Sequence, residues 1–142
     1  MIYERGNIWS VYRDTDHLLF TANSCVKADG SLVMGAGIAK QVRDRFPGID
    51  RLIGAVVKAT GTRFGLILGR KIGVFQTKLH WRDPSPVELI EHSTRLLTVR
   101  ASDTPGERFD MTMPGCSHGQ LSRSIVDPII SFLPDNVHVW TY

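Results

Sequence analysis

The sequence predicts a three-layer α/β domain built on a mixed sheet. Short apolar runs alternate along the chain with segments of helical periodicity, and one pair of those runs is joined tightly enough to be a hairpin. Strands that alternate with helices pair in parallel through crossovers, while the hairpin contributes an antiparallel pair. At 142 residues the chain fits one domain, residues 1–142, and can bury a real core.

Taken in order, residues 2–9 read as a first strand with a turn or bulge at Gly6, although Tyr3, Ile8 and Trp9 do not alternate cleanly. Leu18-Leu19-Phe20-Thr21-Ala22 is a short apolar run bounded by polar residues, the pattern of a buried strand. Ile38, Ala39, Val42 and Phe46 share a helical face that Pro47-Gly48 ends; Ile49, Leu52, Ile53, Val56 and Val57 form another, closed by Gly61. The runs 63–68 and 71–77 flank Gly69-Arg70 as a hairpin. Ser85 is placed to cap a helix that has Pro86 at its first turn and carries Val87, Leu89, Ile90, Leu96 and Leu97. Residues 102–107 are turn-rich and polar, hence a surface loop. A strand at 109–113, a helix at 121–133 kinked or shortened by Pro128, and a strand at 137–140 complete the chain.

Apolar residues make up 42% of the chain and charged residues 22%, which excludes a disordered protein. No apolar run approaches the roughly 20 residues of a membrane span, and Met1-Ile2-Tyr3-Glu4-Arg5 lacks a signal-peptide pattern. A cytoplasmic monomer without membrane contact is expected. Cys25 and Cys116 are too few and too far apart for a disulfide framework or zinc knuckle, so both are expected to be reduced and no metal is expected. The balance of 17 basic to 14 acidic residues, +3 overall, leans mildly toward anionic partners such as a nucleotide. Lys and Arg are spread along the chain, which weakens a reading as a nucleic-acid-binding domain.

Two stretches carry candidate chemistry of the same design. After the strand at 18–22, a polar loop opens at Asn23-Ser24-Cys25 and ends in Met34-Gly35-Ala36-Gly37, where a helix begins at Ile38. Unpaired N–H groups and the positive end of the helix dipole favour a phosphate there, and Gly35 and Gly37 permit close approach. Glycines at such a place also serve a plain tight turn. Position 40 is Lys40, so the dinucleotide fingerprint G-x-G-x-x-G is excluded, and no P-loop pattern occurs anywhere. Met113-Pro114-Gly115-Cys116-Ser117-His118-Gly119-Gln120-Leu121 repeats the layout of strand, glycine loop and helix. Were both strands parallel in one sheet, both loops would leave the same edge and suit a diphosphate.

Between them lies Phe75-Gln76-Thr77-Lys78-Leu79-His80-Trp81-Arg82-Asp83-Pro84. Partial burial and the positive neighbours His80 and Arg82 would depress the Lys78 pKa, as a nucleophilic lysine requires. A solvated lysine at a strand end is the ordinary alternative, and Trp81 is open between packing and stacking on a base or sugar.

Gly6-Asn7-Ile8, Leu19-Phe20-Thr21-Ala22-Asn23 and Met34-Gly35-Ala36-Gly37-Ile38-Ala39 together resemble the opening of a macrodomain, the ADP-ribose-binding module. Phe75-Gln76-Thr77-Lys78, His80-Trp81-Arg82-Asp83-Pro84-Ser85 and Met113-Pro114-Gly115-Cys116 with Gly119 and Leu121 resemble the branch holding terminal ADP-ribose protein glycohydrolase and the DNA-guanine ADP-ribosyl hydrolase antitoxin. The resemblance implies a six-stranded mixed sheet between helices, with ADP-ribose in a cleft at its top and no cofactor. It implies Asn7 and Ile8 near the adenine, and Asn23 at the distal ribose. Gly35, Ala36, Gly37 and Ile38 would cradle the diphosphate, and Cys116, Ser117, His118, Gly119, Gln120 and Leu121 would cover it from the other side. Ala22, Met34, Thr77, Pro114 and Gly115 complete the expected ligand-binding set.

Lys78 matches the lysine that attacks the anomeric carbon of the distal ribose in this branch. Some members also carry an acidic residue in the second loop; here the matching position is Gly119, and Gln120-Leu121-Ser122-Arg123 supplies none. Proton transfer would then fall to His80, His118, Asp29 or an ordered water. The implied activity is metal-independent removal of ADP-ribose from an ADP-ribosylated protein, nucleic acid or small molecule, specifically an acidic side chain, a nucleobase or ADP-ribose 1''-phosphate. The alternative is a module that binds or sequesters ADP-ribose or a related signalling nucleotide without chemistry. A small macrodomain of this kind resembles phage and bacterial proteins.

Overall fold

In a computed structural model describing residues 1–142, six strands form one sheet: β1 (Ile2–Arg5), β2 (His17–Ala22), β3 (Leu66–Leu68), β4 (Ile72–Gln76), β5 (Phe109–Thr112) and β6 (Val137–Thr141). Their spatial order is β1-β6-β5-β2-β4-β3, with every pairing parallel except the hairpin of β3 and β4. The four α-helices are α1 (Gly37–Arg45), α2 (Ile49–Thr60), α3 (Val87–Asp103) and α4 (Arg123–Ile130). None is long and apolar enough to cross a membrane.

Each face of the sheet has its own core. Leu18, Phe20 and Val74 pack with Val42 of α1 and with Ile53 and Val57 of α2, while Leu19, Phe75, Met111 and Val139 pack with Leu97 of α3 and Val126 and Ile130 of α4. Neighbouring residues of a strand point to opposite faces, so a strand covered on both sides reads as the unbroken apolar run seen at 18–22.

Several details differ from the sequence expectation, among them that the first arm of the hairpin is a strand only over Leu66–Leu68. The first strand ends at Arg5; the chain turns at Gly6, and Asn7 Oδ1 accepts the Trp9 N–H at 3.0 Å to cap a single 3₁₀ turn at Ile8–Val11. That turn explains why Ile8 and Trp9 broke the alternation. Ser85 is not the cap of α3: Pro86 takes that place and no side chain bonds the helix end. α3 also continues through Ser102 to Asp103, because Asn136 Nδ2 lies within 3.1 Å of the carbonyls of Ala101, Thr104 and Glu107 and satisfies its end. The last helix is shorter than 121–133, starting at Arg123 and stopping at Ile130, two residues past Pro128, whose missing N–H weakens the ladder.

One buried charge holds the β5–β6 seam. Asp110 is fully buried and accepts from Arg108 Nε at 2.8 Å, Arg108 Nη2 at 3.0 Å and the Trp140 indole N–H at 2.7 Å. The same contacts raise the Arg108 pKa above its ordinary value. Asp110→Ala is expected to destabilise the fold by about 3 kcal/mol in chemical denaturation, since it strands the buried Trp140 donor and a half-buried guanidinium.

Candidate functional site

β2, β4, β5 and β6 are parallel, so Ala22, Gln76, Thr112 and Thr141 end at one edge of the sheet and the loops that follow converge there. The first loop is closed by Asn23, whose Oδ1 accepts the Cys25 N–H at 2.9 Å while Nδ2 donates to the Val33 carbonyl at 3.1 Å. It leads into α1 at Ala36 and Gly37, where no side chain caps the helix. The free N–H groups of that first turn and the helix dipole together favour an anion.

The second loop folds back on itself through the Leu121 N–H to the Gly115 carbonyl at 2.9 Å and the Gln120 N–H to the Ser117 carbonyl at 3.0 Å. Gln120 adopts φ 63°, the one positive φ outside glycine, a strained conformation confined to this loop. Gly119 is wedged against the loop bearing Lys78: its carbonyl accepts the Ser85 N–H at 2.9 Å. A Cβ there would meet Ser85 Oγ and, at 2.6 Å, the Gly115 carbonyl. Across the gap, a methyl on Gly37 would stand 3.7 Å from the His118 ring, so the two glycine loops face each other.

Together they enclose a cleft of about 940 Å³. Its third wall is Thr77, Lys78, Trp81 and Arg82; its far end is Thr112, Arg123, Trp140, Thr141 and Tyr142. Lys78 is only 8% exposed, and its Nζ donates to the Trp81 carbonyl at 3.2 Å. Burial depresses its pKa, with the nearby Asp83 carboxylate opposing part of that shift. Cys116 moves the other way: burial raises the thiol pKa, which makes it a poor nucleophile. Lys78, Arg82 and Arg123 line the cleft and no Asp or Glu does, so its field suits an anion.

Most of the residues singled out from sequence meet here. Ala22 and Asn23, Gly35, Ala36, Gly37 and Ile38, Thr77 and Lys78, and the run from Gly115 to Gln120 all line the cleft. Asn7, Ile8, Met34, Pro114, Leu121 and His80 do not. Asn7 serves its 3₁₀ turn, Ile8 and Met34 are core, and Leu121 packs against the α3/α4 side. His80 Nδ1 accepts the Arg82 N–H at 3.3 Å and its ring tilts against Trp81 outside the cleft wall. Asp29 also lies away from the cleft, where its carboxylate bonds the Ser31 N–H and hydroxyl and its pKa is lowered accordingly. Of the candidate proton carriers, only His118 lines the cavity. Sequence reasoning missed Arg123 and the Trp140-Thr141-Tyr142 end. The signal was present, since Thr112 and Thr141 both close parallel strands and ligands gather beyond such ends.

No family model matches the sequence, and no curated protein matches it. Solved structures do. The macrodomain of Thermus aquaticus DarG is 27% identical with a TM-score of 0.76, covering 99% of this chain and 96% of that one. The macrodomain of Mycobacterium tuberculosis DarG is 25% identical with a TM-score of 0.75, covering 99% and 97%. Thermosipho africanus DarTG, solved in complex with ADP-ribose, is 21% identical with a TM-score of 0.78; the match covers 98% of this chain but only 41% of that larger protein. The chain thus has the macrodomain fold, and within that fold it resembles the DarG macrodomains.

Proposed function

We propose that this chain binds ADP-ribose in the cleft and hydrolyses an ADP-ribosyl linkage there, using Lys78. The observation that carries this reading is the opposition of the two glycine loops across a cleft that is lined by three cations, one of them, Lys78, a buried residue. Backbone N–H groups of both loops suit the diphosphate, and Trp140 and Tyr142 at the far end suit a nucleobase. The complex of the structurally similar DarTG with ADP-ribose supports the choice of ligand.

In this mechanism the two loops fix the diphosphate, and the distal ribose extends toward Lys78. The neutral Lys78 amine attacks the anomeric carbon, the bond to the modified group breaks, and that group leaves with the electron pair and takes a proton. Water then releases ADP-ribose and restores the amine. Burial serves the first step by keeping a larger fraction of the lysine uncharged. His118, the one candidate proton carrier that lines the cleft, is assigned the proton.

Calorimetry with ADP-ribose, ATP and NAD tests the binding half, with ADP-ribose expected to bind at least about tenfold more tightly than the others, a difference of about 1.4 kcal/mol. Equal affinities would overturn it. Release of ADP-ribose from modified protein, modified DNA and ADP-ribose 1''-phosphate tests the chemistry. A second reading, a binder without turnover, is favoured by the absence of any acidic residue in the cleft wall. Tight binding with no release from all three substrates would select it.

A further inference from the structure

Gln76, the last residue of β4, is fully buried, and its carboxamide bonds only to backbone. Oε1 accepts the Gly65 N–H at 2.8 Å, while Nε2 donates to the Thr62 carbonyl at 2.6 Å and to the Lys78 carbonyl at 3.0 Å. Its own backbone is tied on both sides, the N–H to the Gly65 carbonyl at 2.8 Å and the carbonyl to Ser93 Oγ of α3 at 2.7 Å. Three parts of the fold therefore meet two residues before the cleft lysine: the connection from α2 to β3, the helix α3, and the strand end itself.

Lys78 is otherwise loosely held. Its N–H reaches the Ala22 carbonyl only at 3.4 Å, sharing that acceptor with Thr77, and its Nζ has the Trp81 carbonyl at 3.2 Å as its hydrogen-bond partner. The buried bond that fixes the peptide leaving Lys78 comes from Gln76. A four-carbon side chain amplifies any tilt at its root, and a displacement of about 1 Å at a reacting atom costs on the order of 10²-fold in rate. A buried carboxamide is costly unless fully bonded, and here its oxygen and N–H groups are matched to the Gly65 N–H and to the Thr62 and Lys78 carbonyls, three backbone groups that an apolar side chain would leave without these partners. We propose that Gln76 is a positioning residue for Lys78, its carboxamide anchoring the Lys78 carbonyl to the α2–β3 connection so that the amine is held toward the cleft.

The proposal rests on the reading that Lys78 attacks the ligand, and the test separates the two. Gln76→Glu keeps the shape and the acceptor for the Gly65 N–H but turns an oxygen onto the Thr62 and Lys78 carbonyls; Gln76→Met keeps the volume and removes every bond. In the full chain, both variants are expected to lose about 10- to 100-fold in kcat while ADP-ribose affinity stays within about threefold. Amide hydrogen exchange over residues 78–82 is expected to quicken about tenfold, with the β2 amides unchanged. Wild-type kcat in folded Gln76→Met, or unchanged exchange at 78–82, overturns the proposal. So does failure of both variants to fold, or a parallel loss of affinity and kcat, either of which assigns Gln76 to the scaffold alone. Lys78→Ala is the control. If it retains turnover, the lysine reading fails whatever Gln76 does; if it is inactive while Gln76→Met turns over normally, only the Gln76 proposal fails.

Discussion

Lys78→Ala is expected to lower ADP-ribose release by at least about 10³-fold while leaving ADP-ribose affinity within about threefold. The split follows from where Lys78 sits. It is a buried residue on the wall of the cleft, whereas the groups suited to the diphosphate are backbone N–H groups of two other loops. Removing the side chain deletes the proposed nucleophile and leaves the proposed cradle intact. Turnover by the wild type is expected to rise with pH as Lys78 loses its proton, with a midpoint below the ordinary lysine value of 10.5 because burial disfavours the ammonium. The stability linkage has a fixed sign: between the folded and unfolded pKa values the unfolded chain binds more protons at this site, so its contribution to stability improves as pH rises through that window. Comparable turnover in wild type and Lys78→Ala over the same pH range would show that water alone does the chemistry.

Gly119→Asp is expected to weaken ADP-ribose binding by about tenfold or more, with no gain in turnover. The substitution restores a carboxylate where some members of the resembling branch carry one, so the sequence alone would expect a better hydrolase. The packing opposes that. A Cβ at this position would meet Ser85 Oγ and stand 2.6 Å from the Gly115 carbonyl, so the loop must move before any carboxylate can be used. Because the same loop bends at the Gly115 carbonyl to bond Leu121, its displacement is expected to disturb the loop N–H groups at the cleft. Calorimetry with ADP-ribose decides the first part and an ADP-ribose release assay the second. A variant that binds normally and turns over faster would show that the loop accommodates a side chain.

Much of this molecule was legible because its signals are local. The apolar run at 18–22, the helical faces opening at Ile38 and Ile49, and the hairpin around Gly69-Arg70 depend on neighbours within a few residues, and each became the expected element. Both glycine loops were readable for the same reason, since a glycine run between strand and helix advertises itself. Boundaries failed for two reasons. Asn136 extends α3 from more than thirty residues away, which no local pattern encodes; the Asn7 cap is local, acting on Trp9 two residues on, but the apolar Ile8 and Trp9 read equally as strand. His80 and Asp29 have the chemical type of a proton carrier, but their orientation depends on the loops they stabilise, and neither lines the cleft.

By itself the sequence determined the layered α/β plan, the two candidate anion loops and the lysine between them. Periodicity, turn chemistry and residue type are all written along the chain. Only the tertiary structure decided that the loops oppose each other, that Lys78 is buried beside them, that Gly119 has no room for a side chain, and that Gln76 grips the lysine backbone. Those facts depend on strand order and on contacts between residues far apart in sequence, which parallel pairing through crossovers creates and local pattern does not encode.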